Sequence, residues 1–98
     1  MGNLRFFLVS YDIRDQKRWR GVYRIMKEYG TRMHYSVFRC DLTPQGKMEL
    51  ILALSEMINH DEDRVMIVDL GQVRDDIEGL IEFLGQVPEE DCGQQLII

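Results

Sequence analysis

Apolar residues recur along the chain either at every second position, which is typical of strands, or at every third or fourth position, which is typical of helices. These spacings predict an alternation of strands and helices. Residues 5–13 form an apolar run on both parities, which predicts a strand that is buried on nearly both faces. Residues 31–42 alternate with period two, and no Gly, Pro or Asn marks a turn, so one long bent strand is favoured over two short ones. Further apolar runs predict strands over 64–70 and, at the end of the chain, 95–98.

Helical spacing predicts helices over 15–29 and 44–59 and a short third helix over 74–84. Asp15 is placed to cap the first of these helices, and Gly30 is expected to end it with a positive φ. The predicted buried stripe of the first helix consists of Trp19, Val22, Tyr23, Met26 and Tyr29. The predicted buried face of the second consists of Met48, Ile51, Leu52, Ser55 and Ile58, widened by Leu50, Leu54 and Met57. The acidic residues 60–63 are interpreted as a solvated loop, and residues 86–93 as a linker.

The length of 98 residues predicts one domain, residues 1–98, of a size that often goes with oligomerisation. No apolar run approaches the roughly 18 residues that a membrane span needs, and no signal peptide is recognisable, so a cytoplasmic protein without a membrane partner is expected. Cys40 and Cys92 lack the spacing of paired metal ligands and are expected to be buried free thiols.

The net charge of −5 conceals a strongly divided chain. Residues 1–40 hold nine Lys and Arg against three Asp and Glu, whereas residues 41–98 hold three against fourteen. Four of the cations recur on one face of the first predicted helix, with little acidic support around them, and we call them the basic ridge: Lys17, Arg20, Arg24 and Lys27. Such a ridge is suited to an anionic partner such as nucleic acid, although a solvated helix face remains an alternative.

Asp12 is the anomaly of the first strand, because a carboxylate at the end of a buried strand is costly to desolvate. A metal ion, a base or a cleft would account for it, and so would a helix cap or a simple strand exit. Asp69 repeats the pattern at the end of the third strand and is interpreted as a strand terminus. The order of strands and helices, with both helices on one face of an antiparallel sheet, predicts an α+β ferredoxin-like sandwich.

Two motifs carry a family resemblance. The first is Ser10-Tyr11-Asp12-Ile13, and the second runs from Gly30 to Leu42 and includes Arg32 and Tyr35-Ser36-Val37-Phe38. Together they resemble the small CRISPR-associated protein found beside the CRISPR integrase, the second of the two universal spacer-acquisition proteins. His34 departs from the pattern, since the family often has glutamine there. It is interpreted as a strand histidine that faces the interface.

The resemblance implies a ferredoxin-like homodimer in which the C-terminal strand joins the sheet of the partner protomer. It also implies that Asp12 of both protomers holds a divalent ion, commonly Mg²⁺. The site residues that it implies are Asp12, Tyr11, Arg32, Ser36 and Phe38.

The implied function is CRISPR adaptation, an antiviral defence, together with the CRISPR integrase. The implied activity is that of a Mg²⁺-dependent endonuclease that hydrolyses RNA or DNA. One alternative is a non-catalytic adapter that binds duplex DNA along the basic ridge. The other is a small ferredoxin-like dimer, regulatory or ligand-binding, that has no connection with CRISPR.

Overall fold

The computed structural model describes residues 3–86 and forms an antiparallel sheet covered by two helices on one face, as predicted. The elements are β1 (Arg5–Asp12), α1 (Gln16–Tyr29), β2 (Thr31–His34), β3 (Val37–Leu42), α2 (Pro44–Met57), β4 (Arg64–Gln72) and a 3₁₀ turn (Ile77–Leu80). The strand order is β2-β3-β1-β4, so β1 lies between β3 and β4 and pairs with both. This arrangement confirms the ferredoxin-like α+β fold. The predicted strand at 95–98 and Cys92 lie outside the described residues, and the division into one domain with an exchanging tail stays a prediction.

Successive side chains of β1 point alternately to the two faces of the sheet. Phe7, Val9 and Tyr11 point into the core between the sheet and the helices, where they meet Val22 and Met26 of α1 among other residues. The opposite parity points away from the helices. We call this surface the open face, and its members in the three paired strands are Phe6, Leu8, Ser10, Asp12, Val37, Arg39, Asp41, Arg64, Met66 and Val68. Phe6 is the buried member of this set, with an exposure of 0%.

The segment 31–42 is a hairpin, so the prediction of a single bent strand was wrong. Two residues, Tyr35 and Ser36, turn the chain between β2 and β3. The Nε of Arg32 donates to the Tyr35 carbonyl at 3.1 Å, and the backbone N–H of Tyr11 donates to the Ser36 carbonyl at 3.1 Å. Both turn carbonyls therefore have partners, which stabilises a turn that lacks the usual glycine or asparagine.

The buried face of α2 differs from the predicted one. Leu50 and Leu54 are buried, whereas Met48 is 60% and Leu52 is 58% exposed. At the crossing of the helices, Met57 fills the space above Gly21 of α1, so closely that a Cβ on that glycine would overlap its thioether. With Leu50 and Leu54 in the core and Met57 against Gly21, the apolar residues at 48 and 52 remain on the outside. The helix ends at Met57, two residues before the predicted position.

The predicted helix over 74–84 is reduced to the short 3₁₀ turn, while β4 continues past its predicted end to Gln72. Ile77 is buried, but Leu84 is 97% exposed, and Leu80 and Phe83 are exposed as well. A helix of this length depends on burial of its apolar face, and Gly79 lowers its intrinsic helix propensity further. Since only Ile77 is buried among these apolar residues, a longer helix has little to stabilise it.

Gly30 ends α1 at a φ of −163°, which is extended backbone, so the predicted positive φ was wrong. The glycine is required by close packing, because a Cβ at this position would overlap the Arg39 carbonyl and the Cys40 Sγ. Cys40 is a buried free thiol, as predicted, and burial raises its pKa to about 12. In the part of the chain that the structure describes, both α-helices are too short to cross a bilayer.

Candidate functional site

Asp12 lies at the end of β1 with an exposed carboxylate. It does not cap α1, because Asp15 does so by accepting a hydrogen bond from the Arg18 backbone N–H at 2.9 Å. Across residues 3–86, no hydrogen bond or ion pair engages the Asp12 carboxylate. The structure thus removes the helix-cap interpretation and leaves a carboxylate that is available to a ligand.

Asp12 has a defined neighbour on each side. In the register of β1 with β4 it lies opposite Arg64. Towards β3 it follows Tyr11, whose backbone N–H is held by the carbonyl of Ser36 in the hairpin turn. The carboxylate therefore sits on the open face, at the end of the sheet where the hairpin turn and the start of β4 meet.

The five site residues implied by the resemblance divide between two environments. Arg32 and Ser36 belong to the hairpin next to Asp12, where the Arg32 side chain binds the turn carbonyl. Tyr11 and Phe38 lie in the core with exposures of 4% and 0%, and their ring centres are 6.2 Å apart. The aromatic pair therefore fixes the strands beneath the site, and it does not present a surface to a ligand.

Asp63 is a structural residue that the sequence reasoning missed, since residues 60–63 were interpreted as a solvated loop. Its side chain is fully buried and accepts hydrogen bonds from Arg18 Nε at 2.8 Å, Arg14 N–H at 2.9 Å and Asn59 N–H at 2.8 Å. The Arg18 hydrogen bond, with help from the backbone donors, holds the pKa of this carboxyl well below its usual range. Two of these partners are 45 and 49 residues away along the chain, so no local pattern marks the residue.

The Asp63→Asn variant is expected to unfold more easily at neutral pH, because the Arg18 guanidinium loses its buried anion. A carboxyl whose pKa is lowered by folding stabilises the fold above its unfolded pKa of about 3.9, and that stabilisation is lost as the pH falls further. Urea unfolding should therefore show that lowering the pH from 7 to 3 decreases the free energy of unfolding less in the variant than in the wild type. Asp61→Asn, at an exposed neighbouring carboxylate, is the control. Equal stability of both variants at every pH would contradict the role given to Asp63.

The basic ridge lies along the outer surface of α1, and all four of its side chains are exposed. None of the four forms an ion pair with a carboxylate of the described chain. Arg20, Tyr23, Arg24, Lys27 and Glu28 line a shallow open groove of about 430 Å³. The Tyr23 ring stacks on Trp19 with centres 5.2 Å apart, and the Lys27 ammonium lies 5.4 Å from its centre. The groove thus combines cations that lack a carboxylate partner with the aromatic ring of Tyr23, and this combination suits a phosphate-bearing ligand.

A metal ion at Asp12 would need ligands that one described chain does not bring together. Within residues 3–86 no group of three or more His, Cys, Asp or Glu side chains could hold an ion. The oxygen donor at Asp12 nevertheless suits Mg²⁺, which is often bound by one or two carboxylates and several waters. The Asp12 carboxylate is therefore chemically suited to supply one ligand of a magnesium ion.

Comparisons with known proteins agree with the two sequence motifs. Residues 5–76 match the family model described as CRISPR associated protein Cas2. The CRISPR-associated endoribonuclease Cas2 of Geobacter sulfurreducens is 34% identical over 92 residues, which cover 94% of this chain and 96% of that protein. The CRISPR-associated endoribonuclease Cas2 1 of Rhodospirillum rubrum is 37% identical over 92 residues, covering 94% of this chain and 89% of that protein.

Solved structures match over most of their length. A hypothetical protein from Thermus thermophilus superposes with a TM-score of 0.73 at 29% identity, covering 90% of this chain and 99% of that one. Streptococcus pyogenes Cas2 superposes with a TM-score of 0.70 at 27% identity, covering 82% of this chain and 99% of that one. Sequence and fold therefore point to the same group of proteins.

Proposed function

Because the chain belongs to the Cas2 family of CRISPR-associated proteins, we propose that it acts in CRISPR adaptation as a homodimer with a Mg²⁺-dependent endonuclease site at its paired Asp12 carboxylates. Its curated relatives are named endoribonucleases, so RNA is the first substrate to test. The observation that carries the proposal is the position of Asp12, which is exposed, without an ion-pair partner in the described chain, and located on the open face.

The open face has the character of a dimer interface. Met66 is 54% exposed at its centre, and the partly exposed Leu8 and Val68 lie beside it in the strand register. An exposed apolar surface on one side of a sheet favours association, and a two-fold axis places the same surface of a second copy against it. Such packing would bring Asp12 of both copies to one interface, so that each contributes the ligand that the other lacks.

The residues of the chain have distinct tasks in this proposal. Asp12 holds the ion, which when bound neutralises phosphate charge and lowers the pKa of a coordinated water. The hydrogen bond from Tyr11 N–H to the Ser36 carbonyl fixes the end of β1, and with it the origin of the Asp12 side chain. Arg32 holds the neighbouring turn through the Tyr35 carbonyl. These contacts hold the backbone beside Asp12 in place, and a defined position of the metal ligand is what a metal-assisted hydrolysis requires.

The non-catalytic adapter is a second candidate, and the basic ridge favours it. Four exposed cations without carboxylate partners in the described chain can follow a nucleic-acid backbone by phosphate contacts alone. The ridge is on the helix layer, whereas Asp12 is on the open face. Binding of a duplex DNA and cleavage of RNA are therefore separable, and an adapter that bridges to the CRISPR integrase would need only the first of these.

The double variant Arg20→Glu/Arg24→Glu is expected to bind duplex DNA roughly tenfold or more weakly at moderate salt, because two phosphate contacts are replaced by repulsion. The slope of log affinity against log salt should fall in magnitude by about 2. Fluorescence anisotropy over a series of salt concentrations measures both quantities. The control is Arg74→Glu, since Arg74 is an exposed cation that is paired with Asp76 at 2.9 Å. An unchanged affinity and slope in the double variant would exclude the ridge as the binding surface.

A further inference from the structure

Arg64 begins β4 directly opposite Asp12 of β1. Side chains that are opposite in an antiparallel pair lie on the same face, with Cβ atoms about 4.5–5.5 Å apart. Both side chains are exposed on the open face, and neither forms an ion pair within residues 3–86. A carboxylate and a guanidinium are thus close neighbours that remain unpaired, and each is free to bind a ligand group of the opposite charge.

The start of β4 is held firmly, so the position of Arg64 is defined. Asp63, the preceding residue, is buried and accepts hydrogen bonds from the backbone N–H groups of Arg14 and Asn59. Arg14 follows Asp12 by two residues, so one carboxylate ties the exit of β1 to the entry of β4. This link keeps the backbone of residue 64 in place against residue 12.

We propose that Arg64 is the phosphate-binding residue of the Asp12 site. The proposal rests on the proposed function, because it assigns the Asp12 carboxylate to the metal ion and the Arg64 guanidinium to the non-bridging oxygens of the same phosphodiester. A guanidinium presents a planar set of donors that matches the oxygens of a phosphate group. The pair thus supplies one negative group for the cation and one positive group for the anion, at one end of the sheet.

A simple structural role for Arg64 would lead to a different behaviour. As a cross-strand electrostatic partner of Asp12 it would stabilise the β1–β4 pair, and its loss would lower stability without a specific effect on ligands. As a phosphate-binding residue next to a metal ligand, it must attract the nucleic acid and repel the metal ion. Its removal should therefore move the two affinities in opposite directions.

The variant Arg64→Gln tests this without relying on cleavage. Its affinity for Mn²⁺, measured by electron paramagnetic resonance, should rise a few-fold because a neighbouring positive charge is removed. Its affinity for a short single-stranded RNA, measured in the presence of Mg²⁺, should fall about tenfold, as expected for the loss of one charge-assisted contact. The RNA measurement is made in the Arg20→Glu/Arg24→Glu background, so that the basic ridge does not mask the change. Arg64→Lys should recover part of the RNA affinity, and Arg74→Gln serves as the control.

The outcomes separate the inference from the proposed function. If the wild type binds Mn²⁺ and RNA but does not cleave, the nuclease proposal fails, while opposite shifts in Arg64→Gln still support the inference. If the wild type cleaves and Arg64→Gln binds both ligands as the wild type does, the inference fails alone. A fall in both affinities with lower stability would also overturn it, since that result indicates a structural role.

Discussion

Replacement of Asp12 by alanine is expected to abolish Mg²⁺-dependent cleavage of RNA, with a loss of at least about a thousandfold in rate. In the proposed site, removing the carboxylate removes the protein ligand of the ion, and with it several kcal/mol of transition-state stabilisation, where each 1.36 kcal/mol is tenfold. The fold should persist, because the Asp12 carboxylate is exposed and makes no hydrogen bond or ion pair within residues 3–86. The measurement is single-turnover cleavage of a labelled RNA, with and without EDTA.

Asp61→Ala is a matched control, because Asp61 is also an exposed carboxylate but lies in the loop before β4. It should cleave at the wild-type rate. Duplex binding through the basic ridge should be the same in Asp12→Ala as in the wild type. Cleavage that persists in Asp12→Ala after removal of trace nucleases would place the active site elsewhere and leave the adapter as the better account.

Substitution of Met66 by glutamate is expected to convert the proposed dimer into a monomer and to abolish cleavage while Asp12 remains in place. Met66 is exposed on the open face next to Leu8 and Val68, so a glutamate there would be buried without a partner in the proposed interface. Each copy contributes one such charge, and each buried unpaired charge costs several kcal/mol. The dimer dissociation constant should rise at least about a thousandfold, which corresponds to roughly 4 kcal/mol.

Leu52→Glu is a close control for this experiment. Leu52 is 58% exposed and Met66 is 54% exposed, but Leu52 lies on the outer surface of α2 rather than on the open face. Light scattering over a range of protein concentrations should find Leu52→Glu dimeric and Met66→Glu monomeric. If Met66→Glu remains dimeric and active, the copies associate through another surface.

Local features of the sequence were sufficient to place β1 and α1 along the chain, although Leu8 and Ser10 of β1 are more exposed than the predicted burial on nearly both faces. The Asp15 cap and the apolar run ending at Asp12 depend on neighbours within a few residues, and the structure confirms both. The rotation of α2 about its axis could not be predicted in this way, because it depends on contacts with other elements, such as the packing of Leu50 and Leu54 in the core and of Met57 against Gly21. The helix predicted over 74–84 has the correct apolar spacing, but only Ile77 of that set is buried. Periodicity shows that a face is apolar, not that something covers it.

The candidate site likewise depends on contacts between residues far apart in the chain, which local sequence patterns do not reveal. The hairpin turn depends on donors from Arg32 and Tyr11, and the buried role of Asp63 depends on Arg18, which is 45 residues away. The position of Asp12 at the end of a buried strand made it a candidate site residue, but its predicted role as a metal ligand came from the family resemblance. The structure adds that it shares the open face with Arg64 and exposed apolar side chains, and the proposed two-copy site rests on this arrangement.

The number of Mn²⁺ ions bound per chain tests the central proposal most directly. A titration followed by electron paramagnetic resonance, on protein whose mass is measured by light scattering, should give one tight ion per two chains and none in Asp12→Ala or in monomeric Met66→Glu. One tight ion per chain, or undiminished binding in the Met66→Glu monomer, would contradict a site that is built from two Asp12 carboxylates.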